Sequence, residues 1–171
     1  MRVLVTAASE HGSTEAIAQA IGEVLRSGGH DVRVLPPDEA GALAGLDAVV
    51  LGSAVYAGHW LEPATALATR VATELPGRPV WLFSSGPVGK PGGKLARQMG
   101  EDPAELAAVL QATHAREHKM FAGKLERGEL HGLQRAALWI VRGLEGDFRD
   151  WQEIRGWAKS IDAQLSEVTA A

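Results

Sequence analysis

Segment 8–14 has the residue types of an anion-binding loop, because it joins an apolar run to the start of a helical pattern. Free backbone N–H groups and the helix dipole favour negative charge at such a place. Gly12 lets a ligand approach the backbone, and the hydroxyls of Ser9, Ser13 and Thr14 can donate hydrogen bonds to a phosphate. The same residues also suit N-capping, since Ser and Thr begin many helices.

Two later loops could address a planar ring. In segment 52–60, small residues surround Tyr56, the single tyrosine of the chain, with Trp60 nearby. This loop is either a ring platform or a glycine-rich turn whose aromatic side chains cover the edge of the core. Segment 84–93 contains no aromatic residue and no carboxylate, so it would approach a ring through its backbone or remain a surface loop.

Other catalytic motifs are missing from the sequence. Gly93-Lys94 is followed by Leu95, and position 88 is a valine, so no Walker A loop is present. There is neither a Gly-x-Gly-x-x-Gly after the first strand nor a Gly-x-Ser-x-Gly, and cysteine is absent. Nucleotide triphosphates, classical dinucleotides and thiolate chemistry are therefore disfavoured. Catalysis would come from a cofactor, and no catalytic side chain is assigned.

The histidines give weaker signals. His114 and His118 have a helical metal spacing, but residue 118 falls in a predicted strand, so we predict solvated histidines and no metal site. His59 lies beside the ring loop, either as a proton carrier or as a polar rim residue. His11 would add positive charge to the phosphate loop when protonated.

Short apolar segments alternate with helical patterns along the chain. Strands are predicted at residues 2–6, 31–35, 47–52, 78–84 and 117–123. Helices are predicted after residue 14, at 61–75 and 102–112, and from Asp150, with a short one at 38–43. This alternation predicts a doubly wound α/β domain with a five-stranded parallel sheet, spanning residues 1–168. Ligands of such sheets bind at the carboxyl ends of the strands, where the three loops lie.

Composition agrees with one globular domain. The chain has 171 residues and a net charge of −4, which argues against a broadly basic nucleic-acid binder. No signal-peptide pattern and no apolar run of about 18 residues occur, so we expect a cytoplasmic protein.

Read together, the three loops resemble the flavodoxin-like family over residues 1–166. The resemblance implies the strand order 2-1-3-4-5 and an FMN cofactor. It places the FMN phosphate among the first-loop residues Ser9, Glu10, His11, Gly12, Ser13 and Thr14. The flavin ring would be flanked by Ala54, Val55, Tyr56, Ala57 and Gly58, and by Ser85, Gly86, Pro87, Val88 and Gly89.

Two further segments resemble a subgroup that contains menaquinone-dependent protoporphyrinogen oxidase. They are Met120-Phe121-Ala122-Gly123-Lys124-Leu125, and Gly146-Asp147 followed by Asp150-Trp151. The resemblance implies an FMN oxidoreductase that passes electrons from a reduced substrate, such as protoporphyrinogen, to a quinone-like acceptor. The alternatives are a flavodoxin-type carrier that docks on a redox partner protein, and a flavin-free interaction module.

Three features depart from the electron shuttles, and the last two favour the enzyme. Glu10 and His11 stand where shuttles usually have hydroxyl residues, so Glu10 must point away from a phosphate or weaken its binding. The third loop lacks the aromatic and acidic residues that shield and tune the flavin. The net charge is also mild for steered docking to a redox partner.

An insertion at 124–146 separates the fifth strand from the last helix. Leu133, Ala137, Ile140 and Leu144 have helical spacing and predict a short helix over 132–144. We expect this helix to pack at the sheet edge and shape access to the ring. Peripheral membrane contact through the insertion is the alternative, with a basic surplus too small for a strong anchor.

Overall fold

The structure, a computed structural model, describes residues 1–86, 102–125 and 146–170. Within these ranges the strands are β1 (Arg2–Ala8), β2 (Asp31–Leu35), β3 (Ala48–Tyr56), β4 (His59–Trp60), β5 (Val80–Ser85), β6 (Glu117–Phe121), β7 (Lys124–Leu125) and β8 (Gly146–Asp147). The α-helices there are α1 (Ser13–Ser27), α2 (Glu62–Glu74), α3 (Leu106–Thr113) and α4 (Trp151–Ala170). Pro87, Val88, Gly89 and the predicted helix at 132–144 lie outside the described residues.

The central sheet has the parallel order β2-β1-β3-β5-β6, which confirms the predicted doubly wound topology. Its strands pair in register, with Val50 of β3 opposite Val5 of β1 and Trp81 of β5. The apolar run of β3 suits this central place, because its side chains are buried on both faces of the sheet. Consequently β1, β3 and β5 all end at one edge.

Helices cover both faces of the sheet. On one face α1 and α4 pack through Ile17, Ile21, Leu25, Ile154, Trp157, Ile161 and Leu165. On the other face α2 and α3 pack through Ala64, Leu67, Ala68, Val71, Leu106 and Val109. The helical spacing of these apolar residues explains why each helix buries one side only.

The first and last helices begin and end near their predicted positions. Helix α1 stops before Gly28 and Gly29, the latter with a φ of 88° that favours glycine. Helix α4 is capped by Asp150, whose Oδ1 accepts hydrogen bonds from the amides of Gln152 and Glu153, each at 3.0 Å. The helix predicted from Asp150 therefore begins there, with Asp150 as its N-cap residue. No helix in the described ranges is both long enough and apolar enough to cross a membrane.

The largest difference from the sequence prediction concerns segment 52–60, which we expected to be a loop. Strand β3 instead runs on to Tyr56, and β4 returns antiparallel to it, with Val55 opposite Trp60 and Tyr56 opposite His59. Ala57 and Gly58 form the two-residue turn, with φ values of 51° and 82°. Positive φ at both turn residues matches the right-handed twist of the strands. A smaller difference is a single 3-10 turn at Pro37–Glu39 in place of the helix at 38–43.

Gly52 should tolerate no side chain, because a Cβ built there would lie 2.2 Å from the ring of Phe83. That ring cannot move away easily, since it packs against Phe121 and Trp157. We expect Gly52→Ala to lower the free energy of unfolding by about 1–3 kcal/mol, measured by urea denaturation. The matched control is Gly156→Ala in α4, where nothing lies within 4 Å of the added methyl group. That variant should gain about 0.5–1 kcal/mol. Equal effects of the two substitutions would contradict this account of Gly52.

Candidate functional site

The loop after β1 presents an open backbone at the start of α1. Gly12 is the N-cap residue, with a φ of 74°, and its carbonyl accepts the amide of Ala16 at 3.0 Å. A Cβ built on Gly12 would meet nothing within 4 Å, so the space beside this backbone is free. A ligand can therefore approach the first amides of α1, and the phosphate assigned to this loop stays a prediction.

The three hydroxyl residues of this loop have different roles. Ser9 Oγ accepts the amide of Thr14 at 3.3 Å, so it satisfies one free amide of α1 although Gly12 is the N-cap residue. The Thr14 side chain is buried in the core. Ser13 Oγ is buried and has no hydrogen-bond partner in the described part of the chain. A buried hydroxyl without a partner is costly, and an oxygen-rich anion at this place would satisfy it.

The acidic residue of the loop is half exposed and lies beside His11. Glu10 has a side chain 48% exposed, and its Oε2 lies 3.8 Å from Nε2 of His11. The His11 ring meets the Tyr56 ring edge to face, with centroids 6.4 Å apart. The first loop and the β3–β4 hairpin are therefore neighbours, as the sequence predicted.

Glu105, which directly precedes α3, holds the β3–β4 hairpin in place. Its Oε1 accepts a hydrogen bond from Nδ1 of His59 at 2.6 Å, and its Oε2 accepts the amide of Trp60 at 3.0 Å. The amide of Ala104 also donates to the carbonyl of Gly58 at 2.9 Å. The hydrogen bond from His59 lowers the pKa of Glu105. His59 is 61% exposed and occupies the rim of the site.

A row of hydroxyls joins the hairpin to the neighbouring strands. Ser53 Oγ accepts the amide of Leu61 at 3.0 Å and donates to the carbonyl of Ala54 at 2.8 Å. Ser84 Oγ accepts from Nε1 of Trp60 at 2.8 Å and lies 2.9 Å from Nε2 of His118. Because an indole N–H can only donate, the Ser84 proton is free to point at a neutral His118. Burial lowers the pKa of His118 and favours that neutral form.

The third loop starts between two backbone segments. Gly86 donates its amide to the carbonyl of Phe121 at 3.1 Å, and its φ is 109°. A Cβ on Gly86 would lie 3.5 Å from the carbonyl oxygen of Val55, and one on Gly123 would lie 3.4 Å from Gly86. Ser85 is buried beneath them. The described part of this loop therefore presents backbone at Gly86 and Gly123, and its place beside a ring stays a prediction.

Arg149 contributes to the site although no sequence signal pointed to it. Its Nη1 donates to the carbonyl of Ser13 at 3.1 Å, while Nε and Nη2 donate to the two oxygens of Asp147 at 2.8 and 2.6 Å. These bonds lower the pKa of Asp147. The guanidinium also stacks over Trp151, with Cζ 4.5 Å from the ring centroid.

These residues form a binding site that needs a cofactor for chemistry. Among the described residues, no group of three or more His, Asp or Glu could hold a metal ion. His118, one of the two histidines with metal spacing, is instead bonded to Ser84. The open Gly12 backbone and the unpartnered Ser13 hydroxyl fit a phosphate, and the Tyr56 hairpin beside them fits a planar ring.

Comparisons with known proteins agree with this geometry. A family model described as a flavodoxin domain matches residues 4–152. A flavodoxin from the domain Archaea is 22% identical, with a TM-score of 0.57 over 84% of this chain and 99% of its own. Oxidised flavodoxin 1 from Bacillus cereus is 19% identical, with a TM-score of 0.54 over 85% of this chain and 100% of its own.

A larger enzyme carries a similar fold within its chain. Rubredoxin:oxygen oxidoreductase from Desulfovibrio gigas is 16% identical, with a TM-score of 0.67 over 99% of this chain and 37% of its own. The family model supports the broad family and the solved structures support the fold, whereas the resemblance to a protoporphyrinogen oxidase subgroup stays a prediction.

Replacing Gly12 with valine should abolish tight FMN binding. A β-branched residue is strained at a φ of 74°, and its side chain would fill the space that the ligand needs. We expect the Kd for FMN, measured by flavin fluorescence, to rise more than about tenfold. Gly29→Val is the matched control, since Gly29 also has a positive φ and open space but lies at the far end of α1. A loss of affinity in both variants would indicate general damage to α1.

Glu105→Gln should weaken the hairpin in a pH-dependent way. The pKa of Glu105 is lowered in the folded protein, so its carboxylate stabilises the fold above the ordinary carboxyl range. That contribution is lost as the pH falls through the lowered pKa. At neutral pH we expect the variant to lose less than about 1 kcal/mol of unfolding free energy, because the pair is partly exposed. Urea unfolding at pH 7 and pH 3 would measure this, with the exposed Glu74→Gln as control. A difference that persists unchanged in acid would contradict a role for the charge.

Proposed function

The chain belongs to the flavodoxin family, with FMN as its cofactor, and from that premise we propose that it is an oxidoreductase with a quinone-like acceptor. The prediction of FMN is thereby confirmed at the level of the family. Bound FMN supplies the redox chemistry, and the protein supplies binding, orientation and electrostatics.

We assign the phosphate to the loop from Ser9 to Thr14. The observation that carries this assignment is the buried Ser13 hydroxyl without a partner, beside an open Gly12 backbone at a helix N-terminus. Glu10 is compatible with an anion here because its carboxylate faces His11. The ring would then be flanked by the two later loops, from Ala54 to Gly58 and from Ser85 to Gly89.

Two features support the turnover of a bulky substrate. The hairpin has two aromatic rings besides His59, of which Trp60 is buried and Tyr56 is partly exposed, and the described part of the opposite wall is backbone around Gly86 and Gly123. The net charge of −4 is too small for strong electrostatic steering to a protein partner. Protoporphyrinogen is the substrate that the sequence resemblance suggests. In each turnover two electrons and two protons would leave the substrate, and the quinone would become a hydroquinone.

The insertion is assigned to substrate access. Its two ends meet in the described structure, because Leu125 pairs with Gly146 and Lys124 pairs with Asp147. The amide of Phe148 donates to the carbonyl of Gly123, which lies against Gly86. The base of the insertion is thus fixed beside the third loop, from where segment 124–146 could reach the ring or a membrane surface carrying quinone.

An electron carrier is the second candidate. It is favoured by the similarity to flavodoxins that are covered over 99% and 100% of their own chains. A carrier would pass single electrons to a redox partner protein and would need no substrate pocket.

Anaerobic reductive titration separates the two functions. For the oxidoreductase we expect the visible flavin bands to fall in one step, without accumulation of a one-electron-reduced species. We also expect oxidation of protoporphyrinogen that depends on added quinone, followed by porphyrin fluorescence. A long-lived one-electron form together with no quinone-dependent turnover would support the carrier and overturn our proposal. The Gly12→Val variant, lacking flavin, gives the background rate.

A further inference from the structure

We propose that Arg149 is the residue that makes this site specific for the phosphate of FMN, because it positions the loop at the start of α1 and presents its charge and spare N–H donors to the phosphate. This inference rests on the proposed FMN site. It concerns a side chain that neither the loop motifs nor the family resemblance brought into the cofactor site.

The first support is the place of the guanidinium. Nη1 of Arg149 donates to the carbonyl of Ser13, the first residue of α1 and the same residue whose hydroxyl lacks a partner. This contact joins positions 136 residues apart in the chain. It fixes the backbone on which the Ser13 hydroxyl and the adjacent Gly12 are carried.

The second support is the direction of the ion pair. The Arg149 side chain is 8% exposed, whereas that of Asp147 is 40% exposed. The positive end of the pair therefore faces α1, and the negative end faces solvent. A carboxylate screened by water offsets only part of the guanidinium charge on the buried side. The pair thus adds positive potential to the helix N-terminus, where a phosphate dianion would lie.

The third support is spare hydrogen-bonding capacity. A guanidinium has five N–H donors, of which Asp147 takes two and Ser13 takes one. The remaining two, one on Nη1 and one on Nη2, have no hydrogen-bond partner among the described residues. Stacking on Trp151 restricts the guanidinium plane, so little conformational entropy is lost when a ligand binds.

Lysine could not replace this arrangement. A guanidinium can hold both oxygens of Asp147 and still reach the Ser13 carbonyl, because its donors point in fixed directions. An ammonium group is a compact point charge without this planar arrangement of donors, so it would not bind the Asp147 carboxylate and the Ser13 carbonyl together in the same way. The structure therefore uses a property specific to arginine.

The test compares FMN with riboflavin, which has the same ring but no phosphate. For Arg149→Gln we expect the Kd for FMN to rise about tenfold or more, while the Kd for riboflavin changes less than about threefold. Arg149→Lys should keep the positive charge but lose the planar set of guanidinium donors. Its preference for FMN over riboflavin should therefore fall between those of wild type and Arg149→Gln. The ³¹P resonance of bound FMN should also shift in both variants.

Arg155→Gln is the matched control. Arg155 also stacks on Trp151, with Cζ 5.9 Å from the ring centroid, but it is exposed on α4 and makes no contact with Ser13 in the structure. It should keep the wild-type preference for FMN over riboflavin. If it loses that preference to the same degree, general charge and not position is responsible, and our inference is wrong.

The remaining outcomes are distinct. If wild type binds FMN and Arg149→Gln weakens FMN and riboflavin equally, Arg149 is only structural and this inference fails while the proposed function stands. If the glutamine variant is unstable, the lysine variant provides the same test. The ratio of its Kd values for FMN and riboflavin does not depend on overall stability. If wild type binds neither flavin, the proposed function itself fails, and this inference fails with it.

Discussion

The pairing of β3 between β1 and β5 is the constraint on which the site depends. A sheet buried on both faces must satisfy its backbone groups through neighbouring strands, so the registers of Val50 with Val5 and with Trp81 leave no freedom to slide. These registers bring the ends of three strands to one edge. The loops after them are then neighbours, although they begin near positions 9, 57 and 86 of the chain. Gly52 shows how tight the arrangement is, since the Phe83 ring occupies the place of its missing side chain.

Hydrogen bonds from other parts of the chain then hold these loops in position. Glu105 holds the β3–β4 hairpin through a ring nitrogen and an amide, and Ser84 links that hairpin to β6 through Trp60 and His118. On the other side, Arg149 holds the start of α1. Each contact joins a segment early in the chain to one that follows much later. These contacts hold the β3–β4 hairpin and the start of α1 in place, as preorganised binding at the proposed ring and phosphate sites would require.

The features that the sequence predicted well have local causes. The spacing of Ile17, Ile21 and Leu25 marks the buried side of α1, and Asp150 marks the start of α4. Each of these signals lies within one or two helical turns of the sequence. The hairpin was missed because Ala57 adopts a positive φ, which residues other than glycine rarely do. Glu105 and Arg149 were missed for a different reason. The contacts that bring them to the site, Glu105 with Trp60 and Arg149 with Ser13, join residues 45 and 136 positions apart, and no local pattern reports which side chains the fold brings together.

The antiparallel pair formed by Lys124–Leu125 and Gly146–Asp147 holds the two ends of the insertion next to each other. A segment whose ends are already paired can change length at small entropic cost, since doubling a flexible loop costs only about 0.6 kcal/mol. The sheet and the flavin loops would not have to shift to accommodate such a change. Changes in the length or sequence of the chain between residues 125 and 146 would therefore leave the sheet and helices that carry this insertion unaltered.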